Sequence, residues 1–360
     1  MRSVVVDGSG RVSVEQRPDP VLPGPGGAIV EVTATAICGS DLHFLEGLYP
    51  VTEPVALGHE AIGVVVETGP AVESFSAGDR VLVSSVAGCG RCAGCRTKDP
   101  VTCVRGPQIF GSGLLGGAQS DLLAVPDADF QLLAMPDGVT VEQALLLTDN
   151  LATGWAGAKR ADIPIGGTVA VIGAGAVGQC ALRSSYALGA ARVFVVDPVA
   201  WRRRQATMAG GHAVAPPGAQ AVLEATDGLG AHSVIDAVGT DASLDDALAC
   251  VRTGGTVSVI GVHDLTPYPL PALMCLLRSL TLRMTTAPVQ QTWPELIPLL
   301  QSGRLSVDGI FTAAMPLASA PAGLRRRPGP RRRPPQDPPG ALKRGHGTSA
   351  AAGSRYHECS

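Results

Sequence analysis

The sequence predicts an α/β protein in two differently built parts, a β-rich first half followed by a doubly wound parallel sheet, with a disordered tail behind them. Three observations carry this expectation. Short Val-rich runs between Gly and Pro turns fill the first 150 or so residues, strands separated by helical stretches follow from about Thr153, and a glycine-rich turn stands at the first of those strand-to-helix junctions. A chain of 360 residues suits two domains rather than one, because single cores stop growing near ~250–300 residues.

Residues 3–7, 28–34, 61–68, 80–83 and 121–125 are the Val-rich runs, spaced as in an antiparallel sheet or small barrel. In the second part, 168–172 is a wholly apolar strand, 176–188 a helix, 193–196 a strand and 199–208 a helix. Strands at 233–236, 256–260 and 280–284, with a helix at 244–251, continue the alternation, which implies parallel strands with right-handed crossovers. The expected boundaries are 1–152, 153–287, a return segment 288–324 to the first domain, and a tail 325–360. That tail carries nine Lys and Arg against two acidic residues, and Leu342 is its only large aliphatic residue, so no packed core is expected there.

Bulk charge excludes a dedicated nucleic-acid binder, since 28 Lys and Arg against 31 Asp and Glu leave a formal charge of −3. The Arg runs of the tail lack interleaved aromatics apart from Tyr356, so no nucleic-acid partner is expected there either. The chain has no uninterrupted apolar stretch of ~18 residues, and its start, MRSVVVDGSGRV, lacks the apolar run of a secretory signal. A soluble, cytoplasmic protein with no membrane partner is expected. Four of nine cysteines fall in one short window, which favours thiolate chemistry over crosslinking in such a compartment.

Gly173, Ala174, Gly175, Ala176, Val177 and Gly178 spell G-x-G-x-x-G directly after an apolar strand and at the opening of a helix. The first glycine makes a tight turn, the second lets the backbone approach a pyrophosphate, and the third packs helix on strand, with the anion held at the helix N-terminus. Asp197 ends the next strand 19 residues after Gly178, where a carboxylate accepts hydrogen bonds from adenosine ribose hydroxyls. That selects NAD over NADP, whose 2′-phosphate would meet an anion. Arg202, Arg203 and Arg204 follow within reach of such a phosphate, although a solvated helix face accounts for the run as well.

Cys89, Cys92, Cys95 and Cys103 lie in GCGRCAGCRTKDPVTC, a loop without apolar periodicity. Four thiolates at short spacing suit a closed tetrahedral zinc site of structural role. An iron–sulfur cluster is the rival reading of C-x-x-C-x-x-C, against which stand the long gap to Cys103 and the absence of a following Pro. Taken alone, Cys38 in ICGSDLH reads as a small buried hydrophobe, and His59 in LGHEAIG as a loop histidine.

With GHEAIGVVVETGPAV over residues 58–72, the cysteine loop and GAGAVG in that order, the chain resembles the zinc-containing alcohol dehydrogenases of the medium-chain dehydrogenase/reductase superfamily, over roughly residues 1–317. The resemblance implies a GroES-like catalytic domain and a Rossmann domain. It implies that Cys38 and His59 ligate a catalytic zinc, with Asp149 of LLTDNLATG as third ligand where many relatives have Cys. Without the resemblance, Asp149 reads equally well as a helix or loop cap. Glu60 corresponds to the acidic neighbour that orients the site. Ser40 and His43 match the proton relay, in which a hydroxyl takes the alcohol proton and passes it through the cofactor ribose to the imidazole. Asp41, between them, is read as structural. The implied activity is zinc-dependent hydride transfer between an alcohol and NAD, with aldehyde or ketone reduction in reverse, in a homo-oligomer (tetramer or dimer).

The resemblance also implies a helix and a last apolar strand after Met315 and Pro316, where this chain instead enters its Arg and Pro tract. An inactive zinc- and dinucleotide-binding relative is therefore the alternative reading.

Overall fold

All five residues of the strand Thr168–Ile172 are buried, which explains why that run carries no polar alternation. It lies inside a six-stranded sheet of order His212–Val214, Arg192–Val196, Thr168–Ile172, Ala231–Asp236, Val251–Val259, Thr281–Met284, every neighbouring pair parallel. The chain builds outward from Thr168–Ile172 in one direction, then returns to build in the other. That reversal opens a crevice at the carboxyl ends of the strands. The expected strands and helices fall within this sheet and its crossovers; His212–Val214, three residues long, is too short to show a period. The computed structural model describes residues 1–49, 51–325 and 355–359.

In the β-rich part, to which the end of the chain returns, strands run in the order Leu132–Ala134, Arg80–Val83, Ala61–Thr68, Ala28–Ile37, Arg355–Cys359, Phe311–Pro316, and Leu122–Val125 also pairs with Ala28–Ile37. Within the stretch expected as a disordered tail, residues 326–354 and 360 lie outside the described residues. Arg325, however, closes the helix Ala320–Arg325, and Arg355–Cys359 form a strand, which corrects the expectation at those positions. This strand fills the slot between two others, antiparallel to Phe311–Pro316 and parallel to Ala28–Ile37. Composition is blind to such a strand because ladder hydrogen bonds need backbone without proline, not apolar side chains. His357 is buried in it, its ring 5.4 Å from that of Phe311.

A chain ending at residue 354 is expected to leave both flanking strands with open edges. At about 0.5–1.5 kcal/mol net per hydrogen bond, the loss should lower the melting temperature by roughly 5–10 °C. Thermal melting followed by circular dichroism checks this, and an unchanged transition would show that the strand adds no stability.

The helices Val141–Thr148 and Asn150–Arg160 meet at Asp149. The second crosses the expected boundary at 152 and lies against the glycine-loop helix Ala176–Ala187. The approach is so close that a Cβ at Gly154 would stand 2.6 Å from that of Cys180. The return helix Val289–Gln301 carries Pro294 and Pro298 on its exposed side and packs inward through Trp293, whose Nε1 donates to the Leu147 carbonyl at 3.0 Å. One apolar cluster thus takes residues from both halves, including Leu82, Leu146, Leu151, Cys180 and Leu296. Among the described residues, no helix is long and apolar enough to cross a membrane.

Candidate active site

Three segments distant in sequence converge at one point. Cys38 follows the strand Ala28–Ile37 and stands at the N-cap of the helix Gly39–Leu45. His59 and Glu60 immediately precede the strand Ala61–Thr68, and Asp149 occupies the helix junction. The ligand atoms of Cys38, His59, Glu60 and Asp149 all lie within 4.8 Å of one another. His59 Nε2 is 3.7 Å from Asp149 Oδ2, and its Nδ1 is 3.5 Å from Asp41 Oδ1. Asp41 itself accepts from the Cys38 N–H and from Gln119 Nε2, each at 2.9 Å. Asp41 therefore does more than build the turn: it engages one ring nitrogen and leaves the other facing the cluster, as outer partners of metal-binding histidines do. Ser85 Oγ donates to Asp149 Oδ1 at 2.7 Å, and Asn150 Nδ2 to Glu60 Oε1 at 2.6 Å. Gln119, Ser85 and Asn150 were invisible to sequence reasoning, because none belongs to a motif and only the fold brings them here.

The electrostatics of this cluster call for a cation. Burial pushes the Cys38 thiol up, and burial together with the Asp149 charge pushes Glu60 up to about 8. Burial opposes protonation of His59, yet hydrogen bonds to Asp149, Asp41 and Cys38 hold the imidazole well above its ordinary range. Glu60 Oε2 is buried without a hydrogen-bond partner among the described residues. A thiol, an imidazole and carboxylates gathered in low dielectric are a donor set that fits a zinc-like divalent cation.

Cys89, Cys92, Cys95 and Cys103 form a second group with sulfurs within 4.8 Å of one another. All four are free thiols, and Cys89 and Cys95 stand 4.0 Å apart. Backbone N–H groups of Arg91 and Cys92 lower Cys89, and those of Cys95 and Val104 lower Cys92 to about 6. Burial and Cys92 push Cys95 up to about 12. Backbone amides that favour thiolates, with four sulfurs and no further donor among the described residues, make a site that fits a fully ligated metal. It does not line the main cavity.

That cavity, of 710 Å³, is lined by Cys38, His59 and Asp149 at one end and by Gly173, Gly175 and Asp197 at the other. A Cβ at Gly178 would run into the Gly173 carbonyl oxygen, so this close crossing of turn and helix admits only glycine. Asp197 is buried and accepts from the Ala174 N–H at 2.8 Å and the Val199 N–H at 2.7 Å. Arg202 lines the cavity with Nη1 3.8 Å from Asp197 Oδ2, Arg203 donates to the Asp197 and Pro198 carbonyls, and Arg204 is exposed. Ser40 and His43 both face the cavity from the helix Gly39–Leu45. Burial lowers the pKa of His43, whose Nδ1 has no partner among the described residues. Tyr49 Oη spans the cleft to donate to the His263 carbonyl at 3.1 Å.

Comparison with known proteins agrees with this arrangement. Residues 24–137 match the alcohol dehydrogenase GroES-like domain, and residues 176–302 match the zinc-binding dehydrogenase family. Over 323 residues the chain is 67% identical to a Mycobacterium tuberculosis protein named "Probable zinc-binding alcohol dehydrogenase", covering 90% of this chain and 84% of that relative. Among solved structures, the alcohol dehydrogenase of Thermus sp. ATN1 superposes with a TM-score of 0.83 at 34% identity, covering 90% of this chain and 95% of the other. A zinc-binding dehydrogenase from Sinorhizobium meliloti 1021, bound to NADP, superposes with a TM-score of 0.77 at 26% identity over 100% and 99% of the two chains. With the parallel sheet, the GroES-like half and two donor clusters in place, the chain belongs to the zinc-dependent alcohol dehydrogenases of the medium-chain dehydrogenase/reductase superfamily.

Proposed function

We propose that this oxidoreductase transfers hydride between an alcohol and NAD, using a zinc ion held by Cys38, His59 and Asp149. The observation that carries the reading is the single cavity lined by both the donor cluster and the glycine loop, which lets a substrate carbon and a dinucleotide meet. When bound, zinc would supply Lewis acidity that lowers an alcohol's pKa toward neutrality, and NAD would supply the hydride acceptor. Asp41 orients His59, and Ser85 holds Asp149. Ser40 would take up the hydroxyl proton and pass it through the cofactor ribose to His43, which stands three residues on along the same helix and whose pKa burial lowers. Glu60 stays beside the donors as the orienting carboxylate, held by Asn150. The cysteine loop holds a second, structural zinc through Cys89, Cys92, Cys95 and Cys103.

Gly173 and Gly175 would cradle the pyrophosphate, Gly178 would keep helix and turn close enough to do so, and Asp197 would receive the adenosine ribose. Asp197→Gly is expected to raise KM for NAD roughly tenfold and to narrow its preference over NADP. Comparing kcat/KM for the two cofactors checks this, and an unmoved preference would place cofactor choice elsewhere. The reading as a whole is tested by metal analysis with absorbance at 340 nm on a panel of alcohols. Two zinc ions per chain and NADH formation are expected; metal in the cysteine loop alone, with no NADH from any alcohol, would overturn it.

A further inference from the structure

Asn150 belongs to no motif, yet its amide touches two of the four clustered donors. It is fully buried and opens the helix Asn150–Arg160 directly after Asp149. Its Nδ2 donates to Glu60 Oε1 at 2.6 Å, and its Oδ1 accepts from the Cys38 thiol at 3.7 Å. Glu60 Oε2, by contrast, is buried without a hydrogen-bond partner among the described residues, which therefore fasten the carboxylate by one oxygen. We propose that Asn150 is a positioning residue for the metal-binding group: by tying down one Glu60 oxygen it sets where the second stands relative to Cys38, His59 and Asp149. The inference rests on the reading of those residues as a metal site.

The physical reason is that a carboxylate inside a donor cluster has two competing states. It can remain an outer neighbour that tunes the field, or swing in as an additional ligand. A neutral amide donor on one oxygen biases this choice without adding charge, and replacing Asn150 by an apolar residue of similar size removes the bias while keeping the volume. Loss of such outer partners typically weakens metal binding by about 10–100-fold.

The test titrates the metal-free full chain with Co²⁺ against a chromophoric chelator, following the cobalt absorption bands. Four proteins are compared: the unaltered chain, Asn150→Leu, Glu60→Gln and the double variant. Asn150→Leu is expected to weaken one of two metal ions by about tenfold or more and to shift its bands, leaving the four-thiolate ion unaffected. If Asn150 acts through Glu60, adding Asn150→Leu to Glu60→Gln should change that affinity by no more than about threefold, a non-additivity that simple packing would not produce. Should the leucine variant fail to fold, Asn150→Ser, too short to reach Glu60, replaces it with the same expected outcome. Unchanged affinity and bands in the Asn150 variant, or strictly additive effects, overturn the inference alone. An unaltered chain that binds cobalt only in the thiolate loop overturns the metal-site reading together with it.

Discussion

Asp149→Ala is expected to lower kcat/KM by about a thousandfold or more, some 4 kcal/mol of transition-state stabilisation, while dinucleotide affinity stays within about twofold. Asp149 stands at the junction of two helices, but its side chain caps neither of them by a hydrogen bond, so truncation should leave both helices in place. The structural cost is the acceptor taken from Ser85 Oγ, on the order of 1 kcal/mol, together with the carboxylate that faces His59 Nε2 at 3.7 Å. What the substitution removes is one of the donors within 4.8 Å of Cys38 and His59. Zinc content should accordingly fall from two ions per chain to one, with the circular dichroism spectrum retained. Cys38→Ser should behave alike, a hard hydroxyl replacing a soft thiolate. If turnover persisted in either variant, that residue would leave the site.

Gly178→Val should produce the opposite pattern. A Cβ at this position collides with the Gly173 carbonyl oxygen, which is backbone and cannot rotate away, so the turn before the helix must move. Gly173 itself sits at φ +94°, a backbone conformation that glycine adopts and other residues rarely do. We expect the Kd for NADH to rise by about a hundredfold or more, roughly 2.7 kcal/mol, with both zinc ions retained. Fluorescence titration with NADH and metal analysis of the same sample decide the matter. Retained affinity would show that the glycine loop is not the cradle. Loss of metal along with affinity would show a global defect instead.

The parallel sheet and its glycine turn are legible in the order of residues alone. Thr168–Ile172 is buried at every position, and apolar from Val169 on, because both faces of its sheet are covered, and the glycines after it mark a turn that tolerates no side chain at Gly178. The four cysteines are legible because a short loop with no apolar period needs another source of order. Other features leave no local trace. Arg355–Cys359 pairs through its backbone, and its neighbours are more than 300 residues upstream along Ala28–Ile37 and across an Arg and Pro tract from Phe311–Pro316. Helix Val289–Gln301 is hidden by two prolines that the structure places on its exposed side. Within the site, Cys38, His59 and Asp149 are picked out by resemblance. Asp41, Ser85, Gln119 and Asn150 are common polar residues whose importance comes only from what lies opposite them.

Gly154 bears on the spacing between the two ends of the cleft. The helix beginning just after Asp149 rests directly on the helix beginning at the glycine loop, with less room between them than a methyl group needs. The reach from the donor cluster to the glycine loop is therefore gauged by the contact of two backbones. The cleft is a jaw whose span this contact sets, and the shim that sets it is a single missing carbon.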